Sequence, residues 1–255
     1  MKSLVVLWLL AGIGCFAQFN FSAPAFVPPA VAGGGTTAPT PDLLWLTFTN
    51  GSGTTANSVV GPNLSTDATW VTGKSGSGYA LDHNGTSQDG ATATTVAYAT
   101  NKITVCFWAY WDTITSTRII LESSANYNDS GDTFILYSDV LSSTNTLQAG
   151  IRGASSQIRR EGIVTPAISA WRHLAIVYDH SSNAGDVKFY LDGSEQTTSL
   201  DQNTKATTTA LSTQTLNVAA RNRASLWSDM RIDDLRVYSG ELTADQITAV
   251  KNDPQ

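Results

Sequence analysis

The sequence predicts an all-β protein, two antiparallel sheets packed as a sandwich with one short helix near the C-terminus. Three observations carry that prediction. From Asp42 onward, short apolar runs alternate with clusters of Gly, Asn, Asp and Ser, the pattern of strands joined by turns. Charged residues make up 14% of the 255, against roughly 25% in an ordinary globular protein. Ser, Thr, Gly and Asn replace them, which favours strands and hydroxyl-rich surfaces over helices. A single helix start is written at Thr243-Ala244-Asp245-Gln246, a capping box with Thr at the cap and Gln three residues on.

The apolar runs at residues 43–48, 103–111, 118–122, 133–137, 146–152, 173–179, 187–191, 215–220 and 230–238 read as strands. Within 103–111, Ile103, Val105, Phe107, Ala109 and Trp111 share one face, and Thr104, Cys106, Trp108 and Tyr110 share the other. The first set is suited to the inside of a sandwich. In 173–178, Leu174, Ile176 and Tyr178 alternate with His173, Ala175 and Val177, so both faces of that strand are to be covered. Asp192-Gly193 after Lys188–Leu191 is a hairpin turn, because Asp-Gly accepts positive φ cheaply. The helix runs from the capping box to about Lys251, with Pro254 just beyond.

The chain divides into three parts. Residues 1–17 have the layout of an export signal: Lys2 as a basic start, an apolar stretch over 4–14, then Cys15-Phe16-Ala17, with cleavage expected after Ala17. The stretch is short for a membrane span, which takes about 20 residues, so no span is expected after processing. A lipoprotein role for Cys15, or an uncleaved segment docked in an assembly, stand as alternatives. Residues 18–41 form a Pro/Ala/Gly-rich linker or arm carrying Phe19, Phe21 and Phe26, which pack on the domain itself or on a neighbouring subunit. Residues 42–255 are one domain. Cys106 is the one cysteine besides Cys15, and its place in an apolar strand marks it as a buried, inert thiol.

The order of segments is distinctive: LLWLTF, KSGSGYALDHNG, ITVCFWAYW, WRHLAIVYD, VKFYLDG, LNVAARN and MRIDDLRVYSGELTADQI. This series resembles a laminin G-like domain of the concanavalin A-like lectin/glucanase (jelly-roll) superfamily, from residue 43 to about 250. The resemblance implies a jelly roll, a structural role for His173, and a packing role for the Trp at position 108. It also implies a structural calcium, with Asp233 as a ligand and Asn50 standing where the family usually has an acidic residue. Calcium takes six to eight oxygens. The other reading of Asp233 and Asp234 is that they bind loop amides with no metal.

A net charge of -6 argues against a nucleic-acid partner, which needs a basic footprint. Hydrolysis by a glycosidase needs two carboxylates flanking the bond. Glu122, Asp129 and Asp132 straddle a turn, and Glu161, Glu195 and Glu241 stand alone beside turns, so no catalytic residue is assigned. A sugar site combines aromatic platforms with polar side chains. Trp108 and Tyr110 on the face opposite the core mark one candidate groove, and Trp227 and Tyr127, in polar loops, mark an edge site. Sequons begin at Asn20, Asn50, Asn63, Asn84 and Asn128 and matter only in a eukaryotic secretory pathway. The expectation is a non-catalytic carbohydrate- or surface-binding module of an exported protein. The alternative is a structural subunit that decorates a virion or surface assembly through its arm.

Overall fold

The computed structural model describes residues 35–86, 90–114, 117–128, 131–139, 146–153, 158–164, 168–182, 186–204 and 209–253. The expected export signal, Phe19, Phe21 and Phe26 of the arm, and Asp129 lie outside them. The strands in chain order are β1 (Leu44–Leu46), β2 (Thr55–Ala56), β3 (Ser58–Val60), β4 (Leu64–Thr66), β5 (Thr69–Thr72) and β6 (Tyr79–Asn84). Then come β7 (Ala91–Val96), β8 (Lys102–Trp111), β9 (Arg118–Ser123), β10 (Thr133–Asp139), β11 (Thr146–Arg152) and β12 (Ile158–Val164). The last are β13 (Trp171–Asp179), β14 (Asp186–Leu191), β15 (Ser194–Gln196), β16 (Ser199–Asn203), β17 (Gln214–Val218) and β18 (Asp229–Ser239), followed by helix α1 (Ala244–Asn252).

These strands form two antiparallel sheets. The first runs β15-β14-β13-β8-β18-β1-β3, with β6 beside the opening half of β18 and β5 beside β6. The second runs β16-β12-β11-β10-β9-β17-β7-β4-β2. The sheets bury one core, in which Ile103, Val105, Phe107, Ala109 and Trp111 of β8 share a cluster with Phe134, Leu136, Leu147, Ala149 and Ile151 of the second sheet. Tyr178 reaches across from the first sheet, and its hydroxyl donates to the Ile135 carbonyl at 3.0 Å.

The jelly-roll sandwich and terminal helix thus stand as the sequence predicts, with differences at the edges. β1 stops at Leu46, and Phe48, with φ of 52°, turns the chain away. The strand expected to reach Ala220 ends at Val218, because Ala219 enters the left-handed region at φ 57°. The strands with no counterpart in the apolar runs are mostly short and hydroxyl-rich, such as β4, β7 and β16. They are recruited by pairing with stronger neighbours rather than by their own apolar pattern.

The central strand β18 carries a bulge. Asp233 pairs with Trp108 and Arg236 with Cys106, so three steps on β18 answer two on β8. Strict alternation from the inward Ile232 would turn Leu235 outward and drive Arg236 into the core. The extra residue, with Asp234 at φ 48°, restores Leu235 and Val237 to the inside. Asp233 and Arg236 then both lie on the outer face of the first sheet, beside Trp108 and Cys106.

That outer face is half covered. Ile247 and Val250 of α1, with Leu242, pack over Cys106, Ala175, Val177, Tyr190 and Tyr238. The capping box forms: Thr243 Oγ1 accepts the Gln246 N–H at 3.2 Å and Gln246 Oε1 accepts the Thr243 N–H at 2.9 Å. Buried Arg236 ties the helix end to the bulge, donating to Asp234 at 2.8 Å and Asp253 at 2.7 Å. Cys106 is fully buried, and burial pushes its thiol far above the ordinary range. The helix stops short of Trp108.

Candidate functional site

Beyond the helix, the outer face opens into a groove of about 630 Å³. Its floor follows from strand register. β13 sets His173 beside Trp108 and Trp171 beside Tyr110, while β18 sets Asp233 and Arg231 on their other side. Trp108 and His173 meet edge-on at 5.3 Å, as do Tyr110 and Trp171 at 5.8 Å. The β5–β6 hairpin supplies Lys74 and Ser75 as one wall, and the Asp192 turn with Lys251, Asn252 and Asp253 supplies the other. The indoles of Trp108 and Trp171 thus line a groove whose remaining lining is polar or charged.

Cations shape this floor. Lys74 Nζ stands 4.1 Å from the Trp108 ring centre, and the Arg231 guanidinium 4.6 Å from that of Tyr110. Arg231 also pairs with Asp82 and Asp112, both at 3.3 Å. Asp192 is fixed by Arg172 at 2.6 Å and by the His173 N–H at 3.0 Å, and Lys251 donates to its carbonyl at 3.1 Å. The Asp-Gly hairpin is therefore also one lip of the groove. Burial, reinforced by Arg236, Lys251 and Lys74, depresses His173 to about 3, so the ring is neutral at physiological pH and serves as packing. Burial raises Asp233 to about 6, partly opposed by the Lys74 N–H that its Oδ2 accepts at 2.9 Å.

The residues singled out in the sequence fall in different places. Trp108 and Tyr110 lie side by side in the outer-face cluster, Trp108 lining the groove itself. Trp227 is elsewhere, lining a smaller cleft of about 110 Å³ at one end of the sandwich with Trp111, Arg118 and Asp229. Tyr127 corrects the sequence reading: it is not an edge residue open to a ligand. It is 4% exposed, packed with Ile119, Ile135 and Tyr137, because its N–H donates at 2.6 Å to buried Glu122 and folds the polar loop inward. Trp171, Lys74 and Asp192 were missed. Their signal is cross-strand: Trp171 qualifies only once β13 is seen to start two residues before His173 and to pair with β8.

Asp233 and Asn50 are engaged separately. Asp233 Oδ2 takes the Lys74 N–H, its Oδ1 is buried without a protein partner, and Asn50 Oδ1 accepts the Asn57 N–H at 2.8 Å. One free carboxylate oxygen, with the Lys74 ammonium close by, does not fit a cation that asks for six to eight oxygens. No group of three or more His, Cys, Asp or Glu side chains suited to a metal occurs among the described residues.

The isolated carboxylates are tied down. Glu122 is held by Arg221 with both oxygens at 3.1 Å, Glu195 accepts the Tyr190 hydroxyl, and Glu241 binds Lys188 and Lys102. Asp82 and Asp112 share the Arg231 guanidinium.

With this geometry in place, the family model of the concanavalin A-like lectin/glucanases superfamily matches residues 84–248. The chain belongs to that superfamily. No curated protein matches the sequence. Among solved structures, this superfamily member is similar to the botulinum neurotoxin type G receptor binding domain, at 14% identity and TM-score 0.58, over 84% of this chain and 51% of that one. It thus spans about half the length of the toxin binding domains it matches. It is also similar to domain 4 of AbnA, an extracellular arabinanase from Geobacillus stearothermophilus solved with arabinotriose, at 16% identity and TM-score 0.54, over 83% of this chain and all of that one. A third is the Trypanosoma rangeli sialidase, at 14% identity and TM-score 0.61, over 88% of this chain and 35% of the enzyme. At such identities the likeness is one of fold.

Proposed function

We propose that this chain is a non-catalytic carbohydrate-binding module whose ligand lies in the outer-face groove. The observation that carries the reading is the pair of half-buried indoles, Trp108 and Trp171, that line the groove where α1 ends, with Lys74 over the Trp108 ring and Asp192, Asn252 and Asp253 around them. Indole faces stack on the C–H faces of sugar rings, and charged and amide groups at the rim take the hydroxyls. The arabinanase domain bound to arabinotriose supports a saccharide ligand for this fold, and the export-like layout of residues 1–17 supports work outside the cell. Among the described residues no helix is long and apolar enough to cross a membrane.

A glycan array on the full chain, run with calcium and with chelator, tests this reading. Binding should occur, and Trp108→Ala should weaken it at least about tenfold, the scale of losing a central aromatic anchor. Loss of binding in chelator would instead point to a calcium ion at Asp233. Silence on the array in both conditions would sink the carbohydrate reading. New reducing ends released from a bound oligosaccharide would overturn the non-catalytic part.

A further inference from the structure

The turn that joins β5 to β6 has a firm base and a loose tip. At the base, the Trp70 indole donates to the Gly53 carbonyl at 2.7 Å, and the Tyr79 ring lies against Gly51, leaving no room for a side chain there. The tip is closed by its own bonds. Gly73 N–H donates to the Gly78 carbonyl at 3.2 Å, Gly76 N–H to the Gly73 carbonyl at 3.1 Å, and the Ser75 hydroxyl to the Ser77 carbonyl at 2.9 Å. Residues 75–78 are exposed, and a Cβ placed on Gly76 or Gly78 would meet nothing within 4 Å. These two glycines, at φ 75° and 68°, turn the chain without packing it on the sandwich.

Lys74 holds this tip to the body. Its N–H donates to Asp233 Oδ2 at 2.9 Å, and its Nζ stands 4.1 Å from the Trp108 ring centre. Gly73 makes the first contact possible, since a Cβ there would stand 2.8 Å from Asp233 Oδ2. The ammonium occupies the place over the indole where a flat ligand face would stack, while His173 meets the same ring edge-on from β13. A ligand that stacks on that face therefore has to displace Lys74. A partly exposed cation–π contact is weak enough to yield, and small closing elements of this kind gate many ligand sites.

We propose that the β5–β6 turn is a lid over Trp108, with Lys74 as its catch, and that residues 74–78 lift as a unit to free the indole face for the ligand. That the ligand is a sugar rests on the carbohydrate-binding reading above; the lid itself does not.

The test is hydrogen exchange of the ¹⁵N-labelled full chain, read by NMR and corrected for intrinsic rates. Lys74→Ala should speed exchange of the residue-74 amide about two- to fivefold, the scale of losing one exposed cation–π contact. The Gly76 amide, bonded inside the tip, should keep its rate. Gly73→Ala, which retains Lys74 but forces the Asp233 contact apart, should act in the same direction, and Lys74→Arg, which restores a cation over the ring, should match the wild type. In 5-fluorotryptophan protein, the Trp108 resonance, identified by its loss in Trp108→Phe, should show a larger solvent isotope shift in the two alanine variants. An unchanged residue-74 amide or an unchanged Trp108 shift in Lys74→Ala would overturn the lid. Equal acceleration at Gly76 would overturn it too, since the tip would then melt rather than lift. For any glycan that binds on the array above, Lys74→Ala should tighten binding by the same two- to fivefold, because a larger share of molecules is already open. Weaker binding would make Lys74 a sugar contact and overturn the gating role. Silence on the array would sink the carbohydrate reading and leave the lid to be judged by exchange and fluorine alone.

Discussion

The two halves of the outer face of the first sheet begin alike and end differently. Both are built from the same alternating positions of β8 and β13. At one end Cys106, Ala175 and Val177 disappear beneath Ile247 and Val250 of α1; at the other Trp108 and Trp171, half-buried, line the groove. The difference teaches that an outward-facing apolar stripe in a sandwich is assigned to core or to surface by what lands on it. Here a nine-residue helix makes that assignment, and its last turn doubles as a wall of the groove.

The strongest way to break the contrast is to strip the covered half. Ile247→Ala should cost about 2–5 kcal/mol, the range for truncating a fully buried aliphatic side chain, read from denaturant unfolding. Cys106, inert in the native protein, should then react with a thiol reagent at a rate that follows the loss of stability. Trp108→Ala should lower the thermal midpoint less and leave Cys106 protected, because no part of the helix packing depends on it. Equal effects at the two ends would dissolve the distinction.

A second test separates the two buried titratable neighbours of Trp108. His173 is depressed to about 3 from an ordinary 6.5, so the unfolded chain binds the extra proton between those values and stability falls on acidification below pH 6.5. Asp233 is raised to about 6 from 3.8, so the native state binds the extra proton and stability rises on acidification from 6 toward 3.8. The two oppose each other between pH 6 and 4, each with a slope of at most about 1.4 kcal/mol per pH unit. Relative to the wild type, Asp233→Asn should steepen the acid loss in that window and His173→Gln should flatten it. Urea unfolding at a series of pH values reads both, and equal slopes in all three proteins would contradict the burial argument.

The smallest expected effect sharpens the role of the helix. Thr243→Ala removes one half of the capping box and should cost about 1 kcal/mol. Hydrogen exchange should speed up at the first turn of α1 while the amides of β8 stay protected. A matching loss at β8 would mean that the helix and sheet open as one unit.

The legible part of the fold was the part with strong local pattern. β8, β11, β14 and β18 announced themselves through alternation and turn residues, and α1 through Thr243 and Gln246, because these signals act over a few neighbouring residues. β4, β7 and β16 were not legible: Ser and Thr carry little apolar period, and their strand state comes from partners far along the chain. The site divides in the same way. Trp108 and Tyr110 could be placed on the face opposite the core from alternation alone. Trp171 and Lys74 could not be joined to them, since register and the β5–β6 hairpin are properties of pairing. Tyr127 was misplaced because a polar loop sequence does not reveal that Glu122 draws its backbone inward.

By itself, then, the sequence determined the all-β class, the inward and outward faces of the central strand, the Asp192-Gly193 turn and the capped helix, all consequences of side-chain period and local hydrogen bonding. Only the tertiary structure decided the rest. It inserted the bulge that keeps Arg236 out of the core, chose which half of an outer face α1 would cover, and brought Trp108 and Trp171 together from different strands. Those outcomes depend on register and on the reach of one short helix, and neither is written in any single segment of the chain.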